Sequence, residues 1–310
     1  MMPSMPFRTL FDRALPIEAS LRRVGRIAGP GGPARWMFLS LLLVVAVPAA
    51  FAQRWVTLAP SLTESACRLG FCDRLVGVTE YCLFPEDVKN LPRIGGYLDP
   101  NVETIVALRP DLVWALPEQT SAIENLRSMK VRVEVVNNHS IEDIYATLTT
   151  MGELGGRAEE AKAVLAEMRA RQRELRRRRV IPPRVLLVLG HGASPSQITE
   201  AYVVGRYGFM HEMIAMAGGV NAYPSEKPAF PKLTREGLLG VDPDVIVVLM
   251  PRDDLSAEKR DRVLKKWQSA FHLKAVKNDK VHVIHRADVL QPGPRFLKTL
   301  AELVAILDAP

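Results

Sequence analysis

The sequence predicts an α/β protein of two Rossmann-like lobes with parallel sheets, joined by a single long backbone helix. Three observations lead to this prediction. Beyond residue 53, short apolar segments alternate with amphipathic ones, which is typical of a parallel sheet covered by helices. One segment, residues 157–179, has a helical pattern and is much longer than its neighbours. A helix–turn–strand unit also occurs twice, once on each side of that segment.

The first 52 residues predict a secretion signal rather than part of the fold. An uncharged apolar run at residues 36–52 follows Arg22, Arg23, Arg26 and Arg35, and the run ends in the small-x-small pattern Ala50-Phe51-Ala52. We therefore expect cleavage near Ala52/Gln53 and an exported mature chain. The alternative is an uncleaved N-terminal anchor, for which the run is short, because a membrane span needs roughly 20 residues.

The positive charge lies mostly in that N-terminal segment. The whole chain carries a formal net charge of +7, and residues 1–52 hold six Arg, one Asp and one Glu, a net +4. The remaining +3 is too small to predict nucleic acid as a partner. The arginine-rich run RELRRRR, residues 173–179, is interpreted as the solvated end of a helix, where cations suit the helix dipole.

The first lobe is predicted over residues 53–156, where four apolar strand segments alternate with helical ones. Proline and glycine mark the ends of the elements: Pro60 stops the first strand, Gly70 the first helix and Pro110 the second helix. The four strand segments are RWVTLAP, RLVGVT, DLVWAL and VRVEVV.

A connecting helix is predicted over residues 157–180, ahead of the pair Pro182-Pro183. After it the alternation restarts and predicts a second lobe over residues 181–310. A helical connector permits only small hinge motion between lobes. The segments assigned to the second lobe include RVLLVLG, FMHEMIAMAGG, KRDRVLKKWQSA, KVHVIH and PRFLKTLAELVAIL.

Three cysteines, Cys67, Cys72 and Cys82, lie within sixteen residues of one another. Export to an oxidising compartment favours one disulfide, with Cys67–Cys72 and Cys72–Cys82 as the two candidate pairings. Three unpaired, partly buried thiols are the alternative. No histidine cluster at ligand spacing accompanies them, so we predict no metal site.

No motif of a known catalytic site occurs, and we predict no catalytic residues. The segment GHGASPS, residues 190–196, holds His and Ser after a strand, but no acid is placed to complete a triad. Large aromatic side chains lie near strand ends, where an α/β lobe presents its ligand edge: Tyr81, Tyr97 and Phe230. Arg295 opens the last helix and could donate a fork of hydrogen bonds.

The repeated unit places a glutamate in the first turn of a helix twice. NVETIVALRPDLVWAL, residues 101–116, aligns without a gap on TREGLLGVDPDVIVVL, residues 234–249, so that Glu103 falls on Glu236. An acid in a first turn suits the helix dipole by itself. The symmetry suggests more, because two equivalent carboxylates would suit a two-fold partner that carries paired arginines.

Several segments together resemble the periplasmic substrate-binding proteins of cobalamin, ferric-siderophore and haem ABC importers, the helical-backbone group. They are VTLAPSLTE, VGVTEYCLFP, IGGYLDPNVETIVALRPDLV, the connector, AGGVNAY and TREGLLGVDPDVIVV, and they cover nearly all of residues 53–310 in order. The resemblance implies a class III periplasmic binding protein that is not an enzyme and that acts as a monomer in the periplasm. It implies a ligand held between the lobes, and a permease dimer with its ATPase subunits as partner, docked through Glu103 and Glu236.

The resemblance favours a metal chelate as ligand, with no cofactor besides it. Tyr81, Tyr97, Phe230 and Arg295 match positions where cobalamin-binding members place aromatic and arginine contacts, so a corrinoid is favoured. Tyr97 also lies close to the iron-ligating tyrosine of haem-binding members. Ferric siderophores are a further alternative. A periplasmic enzyme acting on a tetrapyrrole, and a sensor that binds ligand without a permease, are the competing classes.

Overall fold

The computed structural model describes residues 53–193 and 198–309. Residues 50–310 group as one compact unit. The predicted secretion signal lies outside the described residues. Within the described ranges, no helix is both long and apolar enough to cross a membrane.

The first sheet has four strands, and all of its pairings are parallel, as the alternation predicts. The strand order is β2-β1-β3-β4, so the chain reverses direction across the sheet at β1, the kind of point where α/β proteins bind ligands. The strands are β1 (Trp55–Thr57), β2 (Leu75–Val78), β3 (Leu112–Ala115) and β4 (Val133–Val135). The helices are α1 (Pro60–Arg68), α2 (Val102–Ala107), α3 (Thr120–Ser128) and α4 (Ile141–Gly155).

Aromatic rings form the centre of the core beneath this sheet. The ring centroid of Trp55 lies 4.7 Å from that of Phe71 and 5.4 Å from that of Trp114, and all three side chains are fully buried. Gly155 at the end of α4 allows the close approach of Phe71, because a Cβ at this position would stand 2.3 Å from the ring. A glycine at position 155 is therefore required for Phe71 to pack against the end of α4.

The connecting helix α5 (Ala158–Leu175) is shorter than predicted. It begins after Gly156, which adopts the left-handed conformation at φ 75° and separates it from α4. The prediction of helix to residue 180 is wrong at the C-terminal end, because residues 176–179 are not helical. Tertiary hydrogen bonds replace the helical ones there: the Arg177 backbone N–H donates to the carbonyl of Met216 at 2.8 Å.

The second sheet is mixed, so the prediction of a parallel sheet is only partly right here. β9 pairs in parallel with both β5 and β10, whereas β6 is antiparallel to β5 and to β8. Only four residues separate β5 from β6, and so short a connection returns the chain antiparallel. The strands are β5 (Arg184–Ala193), β6 (Ile198–Val203), β7 (Val220–Asn221), β8 (Lys232–Thr234), β9 (Val245–Met250) and β10 (Val281–His285).

The helices beside this sheet are α6 (Phe209–Met216), α7 (Arg235–Val241), α8 (Ala257–Ala270), α9 (Lys274–Lys277) and α10 (Phe296–Asp308). Helix α5 packs against α4 on one side and α10 on the other. The two sheets thus fall on either side of α5, as predicted. The predicted lobe boundaries, 53–156 and 181–310, stay a prediction, because residues 50–310 group as a single unit.

The internal repeat is reproduced in three dimensions at the start of its helix. The Asn101 side chain accepts a hydrogen bond from the Thr104 backbone N–H at 2.8 Å, which caps α2. At the equivalent position Thr234 accepts from the Gly237 N–H at 3.3 Å and caps α7. Both caps satisfy a free N–H of the first turn.

The repeat continues beyond each helix as a matched clamp. Arg54 donates to the carbonyls of Leu108 and Arg109 after α2, at 2.9 and 3.3 Å. In the second copy Arg184 donates to the carbonyls at the equivalent positions, Val241 and Asp242, at 2.8 and 3.1 Å. The helix C-termini would otherwise leave these carbonyls without partners.

An aspartate completes each clamp. Asp111 accepts from the Arg54 backbone N–H at 2.7 Å, and Asp244 accepts from the Arg184 backbone N–H at 2.9 Å. The Pro-Asp pair that the repeat shares therefore ties each helix end to the start of the lobe's first strand. The duplication thus includes Arg54 and Arg184, which lie outside the two aligned segments.

Replacing the two clamp arginines should destabilise the protein unequally. Arg184 is partly buried, so Arg184→Met leaves carbonyls with little access to water and should lower the free energy of unfolding by about 2 kcal/mol. Arg54 is exposed, and Arg54→Met should cost about 1 kcal/mol, because water replaces the lost donors. Urea unfolding monitored by circular dichroism measures both. Equal losses of unfolding free energy in the two variants would show that burial of the arginine does not determine its contribution to stability.

Candidate ligand-binding cleft

A cavity of about 230 Å³ opens between the two sheets. On the first-sheet side it is lined by residues that follow the carboxyl ends of β3 and β4, among them Leu116, Glu118 and His139. On the other side it is lined by the start of α6 and by residues that follow β10. Ligands of open α/β sheets bind at this edge of the strands. The lining residues are Tyr97, Leu116, Glu118, Asn138, His139, Tyr207, Gly208, Phe209, Met210, Ala229, Phe230, Leu290 and Pro292.

Tyr97 lies in the cavity wall on a loop that is fixed from behind. The buried amide of Gln119 donates to the carbonyl of Tyr97 at 2.7 Å and to that of Leu58 at 2.5 Å. Its oxygen accepts from the Leu116 N–H at 2.9 Å. Burial, with a smaller effect of the Glu118 carboxylate, raises the pKa of Tyr97 to about 12. The phenol is therefore neutral near pH 7 and can donate a hydrogen bond into the cavity.

A histidine and a carboxylate face the same cavity. Nε2 of His139 lies 3.6 Å from Oε1 of Glu118, and both side chains are partly exposed. The Tyr207 ring lies with its centroid 6.4 Å from that of His139. Sequence reasoning missed these three residues. The sequence pattern that singled out Tyr81, a position shortly after a strand segment, also applies to His139. His139 follows VRVEVV, and Tyr81 follows RLVGVT.

The backbone beside His139 joins the two halves of the molecule. Its carbonyl accepts from the Phe209 N–H at 2.6 Å, at the start of α6. Two residues later, the Ile141 N–H donates to the Glu212 carboxylate at 3.0 Å. These hydrogen bonds cross from the first-sheet side to α6 beside the cavity.

The structure brings together two of the four predicted ligand contacts. Tyr97 and Phe230 line the cavity from opposite sides, and half of the Phe230 side chain is exposed. Tyr81 is 58% exposed and does not line the cavity. Arg295 lies in a different depression. A role in ligand binding for these four residues stays a prediction.

The Arg295 guanidinium is already engaged by a carboxylate of the other lobe. Its Nε donates to Oε2 of Glu64 at 2.8 Å, and its Nη2 donates to Oε1, a two-point contact. The Glu64 side chain is only 4% exposed and that of Arg295 20%. Phe84 covers the guanidinium, with the ring centroid 4.0 Å from Cζ. Two of the guanidinium N–H groups that were predicted to bind a ligand therefore donate to Glu64 instead.

Further charged groups extend this ion pair. Asp288, 3% exposed, accepts from Nε of Arg286 at 2.8 Å, and its second oxygen lies 3.5 Å from Nε of Arg295. Burial raises the pKa of the Glu64 carboxyl, and the Arg295 guanidinium opposes that rise. The charge on Glu64 thus depends on Arg295 remaining in place.

The cysteines adopt one of the two candidate pairings. Cys67 and Cys72 form a disulfide that ties the end of α1 to the turn before β2. Cys82 is a buried free thiol, so the pairing Cys72–Cys82 is wrong. Within the described residues, no group of three or more His, Cys, Asp or Glu could hold a metal ion.

The two repeated glutamates occupy equivalent exposed positions. Glu103 lies in the first turn of α2 and Glu236 in the first turn of α7. The pKa of the Glu236 carboxyl lies below its usual range, because it accepts hydrogen bonds from its own backbone N–H and from the Thr234 hydroxyl. No described contact engages Glu103, so its carboxylate faces solvent. Their predicted docking role stays a prediction.

Comparison with known proteins agrees with this geometry. The model of the periplasmic binding protein family matches residues 56–287, three quarters of the chain. The chain belongs to the periplasmic binding protein family. The predicted resemblance to the substrate-binding proteins of cobalamin, siderophore and haem importers is confirmed at this level, as is the class III fold.

Three proteins similar to this periplasmic binding protein include two with a stated ligand, and those two ligands differ. An uncharacterized ABC transporter substrate-binding lipoprotein, YvrC, of Bacillus subtilis is 28% identical over 81% of this chain and 78% of its own. A vitamin B12-binding protein of Yersinia pestis is 28% identical over 67% of this chain and 73% of its own. The structure of a periplasmic haem-binding protein from Pseudomonas aeruginosa matches with a TM-score of 0.69 and 26% identity, over 82% of this chain and 92% of that one.

Removing Arg295 should leave an uncompensated carboxylate between the lobes of this periplasmic binding protein. We expect Arg295→Met to lower the free energy of unfolding at pH 7 by about 3–5 kcal/mol. The double variant Glu64→Gln/Arg295→Met should recover part of that loss, because no buried charge remains. Urea unfolding measures each.

The loss should also depend on pH. A Glu64 carboxyl without Arg295 has a raised pKa in the folded state, so protonation favours folding. The deficit of Arg295→Met should therefore shrink as the pH falls from 7 towards 5. Arg252→Met is the matched control, because Arg252 is half exposed and lies 4.0 Å from its acid. Equal losses in Arg295→Met and Arg252→Met would contradict a structural role for the buried pair.

Proposed function

We propose that this periplasmic binding protein is the substrate-binding component of an ABC importer that captures a metal chelate between its lobes, with a corrinoid as the favoured ligand. The observation that carries the proposal is the cavity wall, to which both lobes contribute aromatic rings: Tyr97 from one side, Tyr207 and Phe230 from the other. Flat rings on two sides of a cleft suit a large planar macrocycle. The relatives named for vitamin B12 support the corrinoid.

The size of the cavity indicates how such a ligand would bind. At about 230 Å³ it is smaller than the roughly 300–1,000 Å³ of pockets that enclose a drug-sized molecule. A corrinoid is larger still, so it would place one edge in the cavity and extend over the half-exposed rings of Tyr207 and Phe230. The rim rings would then supply much of the contact area.

Haem is the second candidate, favoured by the polar groups of the same wall. Tyr97, His139 and Tyr207 could supply oxygen or nitrogen to an iron ion in the macrocycle. The raised pKa of Tyr97 works against a phenolate ligand in the cleft. The similarity to a haem-binding structure supports this candidate.

A ferric siderophore is less well supported. Anionic chelates favour free cations in the cleft, and the guanidinium of Arg93 is already bonded to backbone carbonyls. It donates to Thr79, Cys82 and Lys89 at 3.1, 2.8 and 2.9 Å. Arg206 is exposed and remains available.

Titration of residues 53–310 with cyanocobalamin, hemin and a panel of ferric siderophores tests the proposal. We expect saturable one-to-one binding of cyanocobalamin, read by tryptophan quenching and visible spectra together. Phe230→Ala should weaken binding about 10-fold through loss of ring contact. Tyr202→Ala is the matched control, since Tyr202 is similarly exposed on β6 but does not line the cavity.

Haem binding would give a different pattern. A ligand-field spectrum that is lost in Tyr97→Phe or His139→Ala would assign the cleft to haem instead of a corrinoid. Binding of none of the three chelate classes would contradict the proposal itself.

The pair Glu118 and His139 is a feature of the cleft that an enzyme acting on a tetrapyrrole could use for proton transfer. Prolonged incubation with the bound chelate, followed by chromatography, separates the two functions. A binding protein returns the ligand unchanged, whereas conversion that stops in Glu118→Gln would identify an enzyme.

Docking to the permease should depend on the repeated glutamates. The double variant Glu103→Ala/Glu236→Ala should keep its ligand affinity and lower uptake by at least about 10-fold, because both carboxylates would be lost from the contact. Glu124→Ala/Glu258→Ala removes the same charge from exposed positions on α3 and α8 and should transport normally. Unchanged uptake in the first variant would favour a sensor without a permease.

A further inference from the structure

The arginine-rich segment, residues 173–181, has an exposed side that ligand binding and permease docking do not use. Helix α5 ends at Leu175, and from Arg176 to Arg179 exposed residues alternate with partly buried ones. Arg177 and Arg179 point inward, and each donates to the Asp308 carboxylate, at 3.1 and 2.6 Å. Arg176 and Arg178 are exposed on the opposite side.

Two exposed aliphatic side chains follow these arginines in the chain. Val180 is 101% exposed and Ile181 86%, which makes them the most exposed large hydrophobic side chains in the described part of the chain. Pro182 and Pro183 follow directly and restrict the backbone that carries them. An apolar pair held clear of the surface beside arginines has no structural role within this fold.

The acids around the segment are already paired. Arg171 binds Glu174, and Arg169 binds Glu142. Among the described residues, no ion pair involves Arg173, Arg176 or Arg178. Arg173 and Arg176 also line a shallow depression of about 230 Å³ together with Arg169 and Gln172, so three of these four lining residues are cationic.

We propose that this segment binds the surface of an anionic lipid bilayer. Guanidinium groups pair with phosphate in two-point contacts, and the depression lined by arginines offers a place for a lipid headgroup. Val180 and Ile181 would enter the boundary between headgroups and acyl chains, as the apolar residues of interfacial segments do. The exposed aliphatic pair favours lipid over nucleic acid, whose bases stack on aromatic rings that the segment lacks.

This inference goes beyond the proposed function and does not depend on the ligand. It assigns the arginines to a second surface of the molecule, and lipid binding would hold the protein close to the membrane that contains its permease. We expect the segment to bind vesicles whether or not a chelate is bound in the cleft.

Sedimentation with sucrose-loaded vesicles tests the inference, using residues 53–310, which form a compact unit without the N-terminal segment. Vesicles of phosphatidylcholine with 30% phosphatidylglycerol, a composition of about one anionic lipid in three, are compared with phosphatidylcholine alone. We expect binding only to the anionic vesicles. Each arginine near such a surface contributes a factor of about five, so Arg173→Gln/Arg176→Gln/Arg178→Gln should lower partitioning about 100-fold.

Matched variants separate this segment from general electrostatics. Lys259→Gln/Arg262→Gln/Lys265→Gln removes the same charge from the exposed face of α8 and should change partitioning little. Val180→Ser/Ile181→Ser keeps the charge and should weaken binding about 10-fold through loss of buried apolar area. Circular dichroism confirms that each variant is folded.

Three results would overturn the inference. They are equal binding to neutral and anionic vesicles, equal losses in the segment triple and the α8 triple, and binding to double-stranded DNA without binding to vesicles. Vesicle binding that fails while the chelate still binds would leave the proposed function intact.

Discussion

The ion pair between Glu64 and Arg295 sets the spacing of the two lobes, and the cleft depends on that spacing. A carboxylate that is 4% exposed loses most of its hydration, which costs several kcal/mol unless a well-placed cation compensates. Arg295 compensates it from 231 residues away in the chain. Asp288 and Phe84 also contact the guanidinium, so a shift of one lobe against the other would disturb several contacts at once. The pair thus contributes specificity of arrangement more than net stability.

Other cross-lobe links lie beside the cleft. Helix α5 packs against both α4 and α10, and the hydrogen bonds from His139 to Phe209 and from Ile141 to Glu212 tie the first-sheet side to α6. Phe230 and Tyr207 in the cavity wall are half exposed. Fixed links between the lobes, together with exposed rings in the wall, favour side-chain adjustment and small hinge motion over wide domain closure. A ligand would therefore meet a cleft that is largely preformed.

Local patterns in the sequence predicted the local structure well. The repeated segments became α2 with β3 and α7 with β9, because capping residues, proline stops and apolar runs act within a few residues. Predictions failed where tertiary contacts decide. The arginines after Leu175 exchange helical hydrogen bonds for Asp308 and Met216, and the antiparallel β6 follows from a connection too short for a crossover.

The candidate site shows the same division. Tyr97 and Phe230 were found because each lies beside a strand end or a recognisable loop, where the fold class alone predicts a ligand edge. Glu118 and Tyr207 were missed, because they become neighbours only when the lobes meet. The contact of Arg295 with Glu64 was not predicted for a related reason: Glu64 lies in the other lobe, and no spacing rule in the sequence connects the two residues.

The buried third cysteine has a consequence for the chain in an oxidising compartment. Cys82 lies within hydrogen-bond distance of the Thr63 and Thr79 hydroxyls, 3.1 Å from each, and burial raises the pKa of its thiol. Thiol–disulfide exchange requires a thiol that is both accessible and ionised. In the native fold Cys82 is buried and its raised pKa disfavours the thiolate, so neither condition is met. Folded molecules keep the Cys67–Cys72 bond intact beside an odd thiol, whereas unfolded ones can scramble it or cross-link to each other. Folding therefore protects the Cys82 thiol from oxidation and exchange, so that oxidative damage falls selectively on unfolded molecules.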